Sequence, residues 1–425
     1  MRVSWCWIAA CVVAAGCIED PRARDEVEAD GGAIEAGAVD DRAINDRAID
    51  DVSRDGGALR DVEGSPDGAS AVDAGRPRDT GVGGRCVVRV ETFATDEREW
   101  AEPVVGGAAV YAHRLAADGT LRAVRIDDGS DALAGGPRDR IVDARGPARL
   151  LLRPDGAGRQ RLIYRDAGGD VPLGDLVARW PGFEGGYGRP MHQVEPGTAA
   201  WLDGSLIHAY RGGRSEAISL GPGYSVAVSD GIVAWIGGDP PEVWVNGPDD
   251  VRVVGQARGG AGVVVTHGHV WWLDEGAVWM ARVGERQGHR VSDVEGCEAI
   301  DADGPVALAA CRDAEGMSAV RLGAEGEAEV LHRAAFVAAP RAEDGALAWA
   351  SYDEVDAFCS PGAMGRLWWW PRGEPAPLDV AMVGSGCMCC DAIWPPLTID
   401  LGEGLVAWNY ASGPDAPSIG VARCR

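Results

Sequence analysis

Residues 262–291 read GVVVTHGHVWWLDEGAVWMARVGERQGHRV, and their punctuation predicts four short strands. Gly262–Thr266 is apolar and rich in valine, as a buried strand requires, and His267-Gly268 is a tight-turn pair. His269–Leu273 makes a second strand ending at Asp274-Glu275-Gly276, Ala277–Val283 a third, and His289–Val291 a fourth. The turn glycine is diagnostic: such hairpin turns need a positive φ, which only glycine adopts without steric cost.

The unit at the centre of this stretch, a glycine followed by an apolar run with an aromatic or Leu four places on, recurs along the chain. Clear copies are SDGIVAW at 229–235, THGHVWW at 266–272, ADGPVAL at 302–308, EDGALAW at 343–349 and GEGLVAW at 402–408. Fainter ones are VGGAAVY at 105–111, ARGPARL at 144–150 and EPGTAAW at 195–201. The glycines, Gly107, Gly146, Gly197, Gly231, Gly268, Gly304, Gly345 and Gly404, are separated by 39, 51, 34, 37, 36, 41 and 59 residues. Four strands in about 36 residues, repeated, is the pattern of a β-propeller blade. A solenoid is the competing repeat fold, but it needs end caps that neither end of the repeats supplies.

The expected fold is therefore all-β: an eight-bladed β-propeller over residues 85–425, or a seven-bladed one if ARGPARL, where Arg149 replaces an apolar residue, makes no blade. The last unit supplies Leu397–Gly402, Leu405–Tyr410 and Ser418–Arg423, one strand short of a blade, whereas CVVRV at 86–90 is an orphan strand. That N-terminal strand is expected to close the ring in the last blade and to remove an exposed sheet edge. The repeats resemble the propellers of exported bacterial proteins, the YWTD-like and TolB-like groups among them, at the level of architecture over about 340 residues.

The N-terminus predicts export. Met1-Arg2 precedes an apolar run from Val3 to Ala15 broken only by Ser4, about 13 residues where a membrane-spanning helix takes about 20. The run ends in Ala14-Ala15-Gly16-Cys17, which resembles the bacterial lipobox, with Ala14 where that motif usually has Leu. The resemblance implies a signal peptide at 1–16 and a diacylated Cys17, and two acyl chains suffice for stable anchoring. Residues 18–84 carry 18 acids and 8 arginines, no aromatic residue and only 11 of Val, Ile and Leu, with the near-repeat DRAINDRAIDD at 41–51. So little apolar surface cannot offset chain entropy, and 17–84 reads as a lipidated, disordered acidic tether with a reach of roughly 45 Å.

Composition excludes several chemistries. All 40 basic residues are arginine, so no P-loop lysine, Schiff base or Ser-Lys dyad is possible. A net charge of −26 disfavours nucleic acid and anionic membrane surfaces as partners. No G-x-S-x-G or H-E-x-x-H occurs. His267 and His269 look like a metal-ligand pair, but His267 stands where Asp230, Asp303 and Asp344 stand in other units. Asp301-Ala302-Asp303-Gly304 lacks the further acidic ligands of a calcium loop. Trp368-Trp369-Trp370 alternates faces on a third strand, which places one or two rings in the core; a sugar-stacking platform is the sharper alternative. Asp353-Glu354 has the residue types of an acid–base pair, but 66 acidic residues make any such pair unremarkable.

Eight cysteines remain after Cys6, Cys11 and Cys17: Cys86, Cys297, Cys311, Cys359, Cys387, Cys389, Cys390 and Cys424. In an exported chain an even number implies disulfides. Cys297 and Cys311 flank a predicted hairpin, and Cys86 and Cys424 fall on neighbouring strands if the ring closes as expected. Cys387-Met388-Cys389-Cys390 reads as two disulfides, one of them the vicinal pair, or as a thiolate metal site with Cys359 or a histidine. The oxidising compartment favours disulfides, so no metal is assigned. Vicinal disulfides contact the quinone in eight-bladed quinoprotein dehydrogenases, but the tryptophan-docking repeats of that family are missing, and no cofactor is expected.

Three stretches exceed the repeat rhythm: Arg179–Pro190, Tyr352–Gly365 and Gly384–Pro396. Strand alternation puts all three on one face, opposite the Gly turns, with Trp180, Phe183, Tyr187 and Trp394 as candidate binding residues and Cys359 within reach of the cysteine cluster. The expected function is that of a monomeric, lipid-anchored envelope lipoprotein, with the outer membrane favoured and its periplasmic or surface side open. It would bind an envelope protein or glycan without catalysis. The outer-membrane barrel-assembly apparatus contains a propeller lipoprotein of this kind, an analogy of fold alone. The rival is a propeller hydrolase or lyase acting on a carbohydrate or peptide, which would need carboxylates with His or Arg facing one funnel.

Overall fold

The computed structural model describes residues 88–94, 103–115, 121–126, 139–154, 160–176, 192–203, 206–219, 223–247, 250–259, 262–353, 364–384, 397–410 and 418–424. The signal, Cys17, the tether, Cys86, Cys359, Cys387, Cys389, Cys390, Trp180, Phe183, Tyr187 and Trp394 lie outside these residues.

The unit that opened the sequence analysis forms four antiparallel strands at Val263–Thr266, His269–Asp274, Ala277–Arg282 and His289–Arg290. The described residues form eight antiparallel sheets in chain order, the first with three strands and the rest with four. ARGPARL does form a sheet of its own: Ala148–Pro154 pairs with Arg140–Arg145 on one side and Gln160–Asp166 on the other. The eight first strands are Val104–Gly106, Arg140–Arg145, His192–Glu195, Gly223–Ser229, Val263–Thr266, Cys297–Asp303, Phe336–Glu343 and Ile399–Gly402. Each touches the first strand of the next sheet, and the eighth touches the first, so the contacts close on themselves. The fold is a β-propeller.

Closure comes from the N-terminal strand, as expected, but three residues later than CVVRV suggested. Arg89–Ala94 is the strand, and it runs antiparallel to Ser418–Arg423 with Arg89 opposite Arg423 and Ala94 opposite Ser418. The polar Glu91 and Thr92 hid its second half, because on an outermost strand burial does not select apolar side chains.

Burial falls from the axis outward, which explains why only the first two strands of each unit stand out as apolar runs. The second strands Ile232–Gly237 and Ala346–Tyr352 are buried along their whole length, whereas the fourth strand Arg214–Ala217 is exposed throughout. All eight repeat glycines have positive φ, and Asp230, His267 and Asp344 before three of them do as well. At His267-Gly268 both central residues are left-handed (φ 44° and 77°), the primed turn that matches strand twist.

The residue four places after each glycine is core: Tyr111, Leu150, Trp201, Trp235, Trp272, Leu308, Trp349 and Trp408 are at most 3% exposed. Four of them stack on an aromatic residue directly opposite on the third strand, with Trp201 on His208, Trp235 on Trp244, Trp272 on Trp279 and Trp349 on Trp368. In the last sheet the opposite residue is Gly420, whose missing side chain makes room: a Cβ there would lie 2.2 Å from the Trp408 ring. Trp369 is fully buried, and Trp368 lies between its stacking partner Trp349 and His332, 4.7 Å away, so the tryptophan run serves packing. Cys297 and Cys311 face each other across the first two strands of the sixth sheet and are disulfide-bonded.

Candidate functional site

The inner edge of every first strand has no strand partner, so its backbone N–H groups need acceptors from elsewhere. The sequence supplies them with polar side chains placed shortly before the turn glycine. Val105 N–H donates to Asp400 (2.7 Å), Val194 N–H to Asp143 (2.7 Å), Val228 N–H to Gln193 (2.7 Å) and Ala342 N–H to Asp301 (3.2 Å). Glu195 accepts from the backbone of both Asp230 and Gly231, and Asp303 accepts from Gly345. Hydroxyls do the same work at Ser225, which takes Val263 N–H, and at Thr266, which takes Gly304 N–H. In each case the side chain comes from one sheet and the N–H from the next. The two remaining junctions use arginine, with Arg149 donating to the Tyr111 hydroxyl and Arg341 to the Ile399 carbonyl.

Most of these side chains line an axial cavity of about 190 Å³, walled by seven of the eight first strands and their immediate flanks. Five carboxylates (Asp143, Asp301, Asp303, Glu343, Asp400) and two guanidiniums (Arg145, Arg341) line it. Depth within the ring, followed by repulsion from Asp400, pushes Asp143 up to about 7 despite the N–H bonds it accepts from Val194 and Ala144. Depth also raises Asp400 to about 6, with Arg341 and the Val105 N–H opposing. Glu343 is raised well above the usual carboxylate range, by depth first and then by Asp400. Thr398 Oγ1, on the same wall, is buried without a hydrogen-bond partner among the described residues.

The axial carboxylates escaped the sequence reading because 66 acids conceal them. The available signal was phase: Asp143 and Asp301 stand three residues before a repeat glycine, and Asp400 four.

A second feature lies at the opposite ends of the strands. Leu176 and Gly384 end fourth strands and Tyr352 ends a second strand, so all three point away from the Gly turns. The three long connections begin at these ends. Tyr352 Oη donates to the Gly384 carbonyl (3.3 Å), which ties the roots of two of them together. Met364 and Met382, beside those roots on the third and fourth strands of the same sheet, are 39% and 45% exposed. Of the candidate site residues, Cys297, Cys311 and Cys424 are described, and Cys424 is also disulfide-bonded. His267 stands at its turn with Nδ1 3.6 Å from Asp230 and Nε2 3.4 Å from Asp303, on two different carboxylates rather than converging with them. Among the described residues no three acidic, His or Cys side chains come together in a metal-binding group.

No protein-family model matches this chain. No curated protein matches it either. Solved structures similar to it include BamB from Moraxella catarrhalis (11% identity, 79% of this chain and 98% of that one, TM-score 0.45). Others are the β-propeller domain of the trilobed protease from Pyrococcus furiosus (8%, 68% and 98%, 0.41) and TolB from Acinetobacter baumannii (12%, 58% and 64%, 0.29). At such scores these likenesses add nothing to what the sheets themselves establish.

Proposed function

We propose that this protein is a lipid-anchored cell-envelope lipoprotein whose propeller, one blade per sheet, binds an envelope protein or glycan through its loop-bearing face and does no catalysis. The lipid would sit on Cys17, with 17–84 as tether, and the outer membrane is the favoured location. We pair Cys86 with Cys424 and Cys359 with one of Cys387, Cys389 and Cys390. The Tyr352–Gly384 hydrogen bond carries this reading, because it joins two strand ends from which long connections leave, at one end of the ring. Loops held on such a scaffold are where binding residues concentrate.

Against the rival, a hydrolase or lyase, stands the use to which the axial acids are put. The funnel does hold carboxylates and arginines, the feature that an enzyme requires. However, Asp143, Asp301, Asp303 and Asp400 are each engaged by the backbone of the neighbouring sheet. The cavity of about 190 Å³ is also below the roughly 300–1,000 Å³ of ligand pockets that engulf larger molecules, which disfavours a sugar chain or peptide.

The test is photo-crosslinking in intact cells from probes placed at Trp180, Phe183, Tyr187 and Trp394, with probes at the turn residues Asp230 and Asp344 as controls. Adducts from the first set and none from the controls are expected. Adducts only from the turn positions would overturn the assignment of the face.

A further inference from the structure

His332 lies on Ala328–Ala334, the outermost strand of the sixth sheet, and its ring packs across the junction onto the seventh. It is half-buried, with its ring 4.7 Å from that of Trp368 and 6.5 Å from that of Trp349, the stacked pair on the third and second strands there. The stacked pairs Trp235–Trp244 and Trp272–Trp279 receive no ionisable ring from a neighbouring sheet among the described residues. We propose that His332 is an acid-operated latch at this junction: the neutral ring rests on Trp349 and Trp368, and the protonated ring leaves them for Asp353. The latch does not depend on the loop-face reading, whereas its use, control of binding at that face, rests on it.

The seat favours the neutral ring. Half-withdrawn from water, an imidazole carries charge only at a cost. Trp349 Nε1 is buried without an acceptor among the described residues. A neutral imidazole has a bare nitrogen that accepts from such a donor, and an imidazolium has none. Trp368 Nε1 is committed to Ser351 Oγ (2.9 Å), which holds the pair in place whatever His332 does. Burial first, with Arg366 adding to it, pushes the His332 pKa below its ordinary 6.5, and Asp353 only partly offsets this.

The remaining charges around the ring are matched. Arg366 on the third strand of the seventh sheet pairs with Asp379 on the fourth (2.5 Å). Arg321 and Glu329, on the sixth sheet's own face, pair with each other (3.4 Å), and Arg333 is held by Asp313 (2.7 Å) and Glu315 (3.4 Å). Asp353 is what is left. It follows the second strand Ala346–Tyr352, is exposed, and has no ion-pair partner among the described residues. It is also where one of the long connections departs, one residue past Tyr352 and its bond to Gly384. Histidine changes charge close to neutrality. Mild acid therefore undoes packing beneath that root and gives its first carboxylate a new counter-ion.

Histidine-labelled full-length protein, titrated by NMR from about pH 8 to about pH 4, tests the latch, with His332 assigned by the signal lost in His332→Gln. The seated ring should carry a ring-current shift from the indoles that disappears as it protonates, with a midpoint below 6.5. Asp353→Asn should lower that midpoint further, and Arg366→Gln should raise it. A midpoint at or above 6.5, or no effect of Asp353→Asn, would overturn the latch. So would a ring-current shift that survives protonation, since a cation–π contact would then be holding the charged ring in place. Photo-crosslinking from the four loop-face probes, at pH values on either side of the midpoint, reads the use. Adduct yield should fall several-fold in acid in the wild type and hold steady in His332→Gln. Equal wild-type yields at both pH values would overturn control of the face. Adducts missing at both would overturn the loop-face reading instead, and the NMR titration would still decide the latch.

Discussion

Tyr352 crosses a strand to reach Gly384. Its hydroxyl meets the Gly384 carbonyl at 3.3 Å although the third strand, Met364–Trp370, lies between the strands that carry them. The passage is open because the residue in between is Gly365, where a Cβ would stand 2.6 Å from the Tyr352 ring and from the Ser351 carbonyl. Burial raises the Tyr352 phenol, which therefore stays protonated and donates.

Two substitutions should separate the hydrogen bond from the space beneath it. Tyr352→Phe removes one bond and leaves a buried carbonyl short of a donor, at a cost of about 1–2 kcal/mol. Gly365→Ala forces the ring or the backbone to move and should cost about 1–3 kcal/mol. Urea denaturation gives both values, and a neutral Gly365→Ala would show that the ring does not lie there.

Asp143 should make stability fall as pH rises. Its carboxyl binds a proton more tightly in the fold, at about 7, than in the unfolded chain, where it returns to near 3.8. The stabilisation is therefore complete below about pH 4 and is lost as pH climbs through 7, by at most ~1.4 kcal/mol per pH unit. Asp143→Asn keeps an acceptor for the Val194 N–H and cannot ionise. It should match the wild type at low pH and melt at a higher temperature at about pH 8. Parallel pH–stability curves for the two proteins would rule this out.

The Cys297–Cys311 bridge spans 14 positions of sequence and joins residues already opposed in the sheet. Replacing both by Ala should lower stability by about 3 kcal/mol in the chain-entropy model. Comparison of wild type and double variant under oxidising and reducing conditions checks it, since the variant should be insensitive to reductant at this position.

The proposed lipidation at Cys17 predicts that the full protein partitions into membranes and that Cys17→Ala releases it. Detergent phase separation and mass analysis of the mature N-terminus read this directly. A wild-type protein found wholly in the aqueous phase would refute the anchor.

What could be read in advance followed from steric and burial rules that act locally. A glycine in a primed turn and a tryptophan four residues later are each constrained by their own hairpin, so Gly268 and Trp272 announced themselves. Arg149 obscured its unit only because its partner, Tyr111, belongs to another sheet. Asp143, Asp400 and Glu343 were opaque for the same reason. Their significance lies in which backbone groups and charges they meet from other sheets, and that follows from ring closure, not from neighbours in sequence. The closing strand was placed early because the polar Glu91 and Thr92 interrupt the apolar run that marked its start.

Closure also sets a timetable. The strand Arg89–Ala94 emerges long before its partner Ser418–Arg423, and the Val105–Asp400 clasp joins residues 295 apart in sequence. The intervening sheets can each form from local hairpins, but the N-terminal strand must wait unpaired until nearly the whole chain has emerged. Such long-range pairing is slow and leaves a bare edge open to other chains in the meantime. The final step of folding is thus a ring closing on itself, and the window before that step is when this protein is most exposed to misassembly.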